Sequence, residues 1–199
     1  DKAESRGLGD VYKRQDSMPR LAYVNGRFVP HSAAAVHVED RGYQFGDGVY
    51  EVVTVVQKRF VDLEGHLDRL NRSLGELQID WPVARNVLKI IMLQLLVRNK
   101  VSVGIIYLQI TRGVAPRDHK FPKSGTPASL VMTTRRVVHD RSPNFRKGVK
   151  VITIPDIRWL RCDIKSTSLL PNCLGKQEAF EAGAYEAWQV GEDGNITEG

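Results

Sequence analysis

The sequence predicts a mixed α/β fold (α+β in its element order) in two parts, and three observations carry that expectation. Runs rich in β-branched residues, such as 49–56 and 103–111, alternate with leucine-rich stretches at helical spacing. A basic stretch at 135–147, broken by Pro143, separates two blocks of this patterning. The composition, 42% hydrophobic and 26% charged over 199 residues, is that of an ordinary globular chain with room for one or two domains.

In chain order, residues 1–19 are charged and lack apolar periodicity, and are expected to be a disordered or non-native leader. The N-terminal domain is expected over 20–136. Its first element is a hairpin, because Asn25-Gly26 between two apolar runs suits a type I′ turn. A second hairpin is expected from 49–56 and 59–63 across Gln57-Lys58. Leu63, Leu67, Leu70, Leu74 and Leu77 recur at helical spacing and place a helix over 65–78. Another helix is expected over 83–99 behind Pro82, with Val87, Leu88, Ile91 and Leu95 as its buried stripe. Strands follow at 103–111 and 129–134.

A linker is expected over 137–147, and a second domain over 148–199. There Val149, Val151 and Ile154 begin a strand that Pro155 ends. Asn172 is expected to cap a helix running through Leu174, Ala179 and Phe180, with Gly183 just past its end. A strand over 185–190 turns at 192–195 into another. The last residue falls within that pairing, so the second domain is expected to be incomplete.

Charge and cysteine usage bound the function classes. The net charge is +6, and the densest basic stretch holds Arg135, Arg136, Arg141, Arg146, Lys147 and Lys150. No aromatics interleave with it as a single-strand binding face requires. A solvated linker is therefore preferred to a nucleic-acid surface. The apolar run around 90–97 is too short to span a bilayer, so no membrane partner is expected. Cys162 and Cys173 form neither a disulfide framework nor a metal cluster, so a cytoplasmic location and no metal are expected. Phosphate-loop, dinucleotide and zinc motifs are absent from the sequence. The glycine-rich run Gly42-Tyr43-Gln44-Phe45-Gly46-Asp47-Gly48 lacks the lysine of a phosphate loop.

Three segments, taken in order, change the reading. They are 39–51 (Glu39-Asp40-Arg41 through Val49-Tyr50-Glu51), then Asp163-Ile164-Lys165-Ser166 with Leu169-Leu170-Pro171-Asn172, and last Ile196-Thr197-Glu198-Gly199. Together they resemble the class IV aminotransferases, the pyridoxal-phosphate enzymes of fold type IV, over roughly residues 20–199. Thr111-Arg112-Gly113, the loop Pro116-Arg117-Asp118-His119-Lys120-Phe121-Pro122 and Asp156-Ile157-Arg158-Trp159 are similar to the D-amino-acid branch. The resemblance implies a two-domain fold, pyridoxal 5'-phosphate as cofactor, and a homodimer. It also implies transfer of an amino group from a D-amino acid such as D-alanine to a 2-oxo acid such as 2-oxoglutarate.

The same resemblance assigns roles that the chemistry requires. Lys165, beside Ile164, Leu169 and Leu170, matches the Schiff-base lysine, and an apolar setting favours the neutral, nucleophilic amine. Glu198 matches the carboxylate that keeps the pyridine nitrogen protonated. Arg69, in His66-Leu67-Asp68-Arg69-Leu70, matches the phosphate-binding arginine, a planar fork suited to a dianion. Arg117 and His119 are two positions apart, so in an extended loop they point the same way and suit a substrate carboxylate. In the D-amino-acid branch this loop reaches the neighbouring subunit, and Tyr50 resembles the tyrosine that completes the trap. Another class IV activity, a branched-chain L-aminotransferase or an amine transaminase, is the nearest alternative. A basic nucleic-acid-binding module is the more distant one.

Overall fold

The computed structural model describes residues 20–137 and 147–199. The expected leader at 1–19 and most of the expected linker, with Arg141 and Arg146, lie outside the described residues.

Strands β1 (Leu21–Val24) and β2 (Arg27–Pro30) pair antiparallel around Asn25 and Gly26, whose φ angles are 43° and 93°. Both are positive, as a type I′ turn demands. A five-residue helix, α1 (Arg41–Phe45), follows. Asp40 caps it by accepting the Gly42 N–H at 2.9 Å, and Gly46 ends it at φ 67°. Gly42 has no substitute here, since a Cβ would fall 2.2 Å from the Thr111 methyl.

Strand β3 (Gly48–Val56) turns through Gln57 and Lys58 into β4 (Arg59–Phe60). The expected strand to residue 63 is shorter, because Asp62 adopts φ 50° and Leu63 already opens helix α2 (Leu63–Glu76). Helix α3 (Arg85–Arg98) and strands β5 (Gly104–Thr111) and β6 (Ser129–Arg136) complete this half. Arg135 and Arg136 thus belong to a strand rather than to a linker. The six strands run β2-β1-β6-β5-β3-β4, every neighbour antiparallel.

Both long helices pack on one face of this sheet. Val49, Val53 and Val55 of β3 join Ile106, Leu108 and Ile110 of β5 and Leu67, Leu70 and Leu74 of α2 in a common core. Helix α3 contributes Leu88, Ile91, Met92, Leu95 and Leu96, while Val87 is exposed, contrary to the expected stripe. That helix is apolar nearly all round, with Ile90, Leu93 and Val97 also exposed. Its periodicity therefore does not fix which stripe packs inward.

The second sheet runs β7 (Val151–Pro155), β8 (Glu186–Val190), β9 (Ile196–Glu198). Strands β7 and β8 are parallel, and helix α4 (Leu170–Glu181) connects them; β9 returns antiparallel to β8. Asn172 is not the cap. The helix begins two residues earlier with Pro171 in its first turn, where the missing N–H is harmless. Gly183 follows the helix at φ 63°, as expected. The core here is small: Ile154, Ala179 and Ala187.

A backbone seam joins the two sheets. Val49 bridges Ser166, the Tyr50 N–H donates to the Lys165 carbonyl at 3.1 Å, and the Thr167 N–H donates to the Gly48 carbonyl at 3.0 Å. Ile164 is buried in the first core. The start of β3 and the segment before α4 are thus held in register. Among the described residues no helix is long and apolar enough to cross a membrane.

Candidate active site

Strand alternation sends Glu51 into the core side of β3 and Tyr50 to the opposite face. The seam then sets Lys165 beside Tyr50. The lysine amine lies 3.3 Å from the Tyr50 hydroxyl and 4.4 Å from its ring centroid. Tyr107 stacks on Tyr50 with centroids 5.7 Å apart, and burial pushes its phenol up. Lys165 is half-buried on Ile164, but Leu170 is exposed, so its expected apolar setting is present on one side only.

A cavity of about 330 Å³ opens at this point, lined by Tyr50, Arg69, Lys165 and Glu198. Four of the six expected site residues therefore meet at one place. Its walls also carry Arg72, Arg158 and Asp163. Four cationic side chains thus face two carboxylates. Behind this lining Glu51 and Asp156 pair with Arg69 and Arg158, so Arg72 and Lys165 are the lining cations without an ion pair among the described residues, and an anionic group such as a phosphate would complement them.

Helix α2 supplies the first arginines. Arg69 grips Glu51 with two parallel hydrogen bonds of 2.6 and 2.7 Å, while His66, one turn away, reaches the same carboxylate at 2.7 Å. Glu51 has no solvent exposure. Burial pushes its carboxyl up, but the Arg69 and His66 hydrogen bonds outweigh that and hold it below the usual glutamate range. The Glu51 hydrogen bonds in turn raise Arg69. Arg72, one turn further, donates to the Asp163 carbonyl at 2.8 Å, and Ser73 accepts the Lys165 N–H at 3.2 Å. The lysine segment is docked on α2 by these bonds.

On the far wall Arg158 is held by both Asp156 oxygens and donates to Glu198 at 2.6 Å. Its hydrogen bonds hold the Asp156 carboxyl far below the ordinary aspartate value. The Thr197 hydroxyl also donates to Asp156 at 2.6 Å, tying the end of β9 to this wall.

Arg117 and His119 stand apart from the cavity. Both are exposed and lie over the ring of Phe45, the guanidinium at 4.8 Å and the imidazole edge-on at 5.6 Å. The structure does not bring them to Lys165 of the same chain. Sequence reasoning missed Arg72, Arg158, His66 and Glu51 as site residues. Arg72 was within reach of a helical-spacing argument, being three positions from Arg69. Glu51, a charge in a β-branched run, gives no local sign of burial.

The family model for class IV amino-transferases matches residues 48–199, which holds the whole cavity wall. The chain belongs to this family. It is 43% identical to the D-alanine aminotransferase of Bacillus licheniformis over 175 residues, 88% of this chain and 61% of that protein. It is 40% identical to the D-alanine aminotransferase of Staphylococcus aureus (strain MSSA476) over 168 residues, 84% and 59% of the two chains. The chain therefore spans about three fifths of the length of these curated relatives. Among solved structures, a T.th. branched-chain amino acid aminotransferase with pyridoxamine 5'-phosphate superposes at a TM-score of 0.79. That match covers 91% of this chain and 62% of the other at 23% identity. It establishes the fold type IV architecture, of which this chain covers about three fifths.

Proposed function

We propose that this class IV chain works in a D-amino-acid aminotransferase, moving the amino group of D-alanine or a similar D-amino acid to a 2-oxo acid such as 2-oxoglutarate. The cofactor is pyridoxal 5'-phosphate. The observation that carries the reading is the Lys165 amine beside the Tyr50 hydroxyl in a cation-rich cavity. Identity of 40–43% to D-alanine aminotransferases favours the D-amino-acid branch over a branched-chain activity. When bound, pyridoxal phosphate supplies an electron sink for the charge that develops at the substrate Cα.

The donor set fits that group. Arg69 and Arg72 would take its phosphate by charge-assisted hydrogen bonds, and Arg69 arrives already oriented by Glu51. Glu198 would face the pyridine nitrogen and favour its protonated form. Lys165 Nζ would hold the cofactor covalently and, once released, accept the proton from the substrate Cα. Tyr50 lies on the same side as that amine and would donate to the substrate carboxylate.

Arg117 and His119 complete carboxylate recognition, and their distance from the cavity of their own chain argues for a homodimer in which the loop serves the neighbour. The two sheets correspond to two domains that meet at the cavity. Cys162 and Cys173 are both free and exposed, which suits a reducing compartment such as the cytoplasm.

Borohydride reduction of the cofactor-loaded protein, followed by mass spectrometry, should place the adduct on Lys165. An adduct on another lysine would overturn the assignment. Lys165→Ala should abolish transamination, because anchor and proton carrier are the same nitrogen.

A further inference from the structure

The glycine-rich run at 42–48 matches no phosphate loop, yet it builds a distinct device. Helix α1 presents Arg41 and Phe45 on one face, four residues apart. Arg41 is buried, and its Nε is fixed to Asp47 at 2.7 Å. Its two remaining nitrogens donate to the backbone carbonyls of Asp118 at 2.6 Å and His119 at 3.5 Å. The Arg41 guanidinium also lies over the Phe45 ring, at 4.8 Å. On that ring rest the side chains on either side of Asp118, those of Arg117 and His119.

We infer that Phe45 and Arg41 form a template that presets Arg117 and His119 for carboxylate capture. The inference rests on the reading of those two residues as the carboxylate clamp. Arg41 fixes the loop backbone, and Phe45 fixes the side-chain rotamers. An exposed arginine otherwise loses much rotamer freedom when it binds. Prior contact with the ring removes part of that loss, which is how preorganisation raises affinity. The guanidinium centre sits 4.8 Å from the ring centroid, and the N–H donors of a guanidinium lie in its own plane, where a carboxylate can meet them. Among the described residues no hydrogen bond involves the Arg117 guanidinium, so the edge that would receive a carboxylate is open. Phe45 and Arg41 are positioning residues: neither touches substrate.

The test is steady-state kinetics on the full chain loaded with pyridoxal phosphate, together with trypsin cleavage after Arg117 and Lys120. Phe45→Leu should raise KM for D-alanine and for 2-oxoglutarate about three- to tenfold with little change in kcat, the range expected for a lost cation–aromatic contact. It should also speed cleavage of the loop several-fold. Phe45→Tyr keeps the ring face and should restore both readouts. If Phe45→Leu does not fold, Phe45→Met, which keeps bulk without the ring, takes its place. Wild-type KM and cleavage in the leucine or methionine variant, alongside a raised KM in Arg117→Ala, would overturn the template. An unchanged KM in Arg117→Ala would instead remove the clamp reading, with the trypsin rates still reporting whether Phe45 orders the loop.

Discussion

Glu51 is the most constrained side chain of the site, because a carboxylate with no solvent exposure survives only with partners. Arg69 and His66 supply three hydrogen bonds and keep it ionised. Glu51→Gln retains the shape but loses the charge, and should lower unfolding free energy by about 1.5–3 kcal/mol, the range for hydrogen bonds to charged groups. Arg69 is half-exposed and rehydrates, which keeps the loss below that of a fully buried pair. The pH dependence has a definite sign. The folded carboxyl lies below its unfolded value, so its contribution is present above about pH 4.3 and fades as pH falls through the folded pKa. Urea titrations between pH 3 and 7 should therefore show a shallower acid loss in the glutamine variant than in the wild type. At this scale the family resemblance, rather than any local pattern, singled out Lys165, Tyr50, Arg69 and Glu198, which the structure gathers around one cavity. Glu51 and Arg158 were not legible, since their roles depend on neighbours distant in the chain.

Between residue and fold, the elements show where periodicity suffices and where it does not. Helix α2 was legible because its leucines leave one apolar face, whereas α3 offers two: Leu88, Ile91 and Leu95 are buried as expected, but only packing chose Met92 over Val87. Helix α1, at five residues, is too short for any period and depends on a cap at Asp40 and on glycine at 42 and 46. Its exit is secured by Asp47, which accepts from Arg41 and twice from Arg112 at 2.7–2.9 Å. Arg112 continues to the Leu77 and Gln78 carbonyls at the end of α2 and stacks on Phe121 at 3.6 Å. One carboxylate therefore serves two nearly buried guanidiniums. Removing it leaves both uncompensated, and Asp47→Ala should cost about 3–5 kcal/mol, readable as a lower denaturant midpoint. The loop 116–122, held from both arginines, should lose its protection from trypsin at the same time.

For the whole molecule, the proposed exchange of loops between subunits makes a prediction that no single chain can fulfil. Lys165→Ala and Arg117→Ala are each expected to be inactive or strongly impaired. A mixed dimer would hold one site with both residues intact and should regain part of the activity. Heterodimers verified by mass that regain none would mean that each chain supplies its own clamp. The two-part organisation was legible from the β-branched and leucine-rich blocks, but the junction between the parts was not. Its main-chain bonds at 48–50 and 165–167 carry no side-chain signature, and the Arg72, Ser73 and Ile164 contacts beside them join residues far apart in the chain. That junction has a consequence for how the protein fails. The seam between the two sheets sets the backbone positions from which the Lys165 amine and the Tyr50 hydroxyl meet at 3.3 Å. The same arrangement leaves the site no way to outlast the junction. Fraying there would separate the two groups while both sheets still hold their strands, and heat should silence the protein before circular dichroism registers any melting.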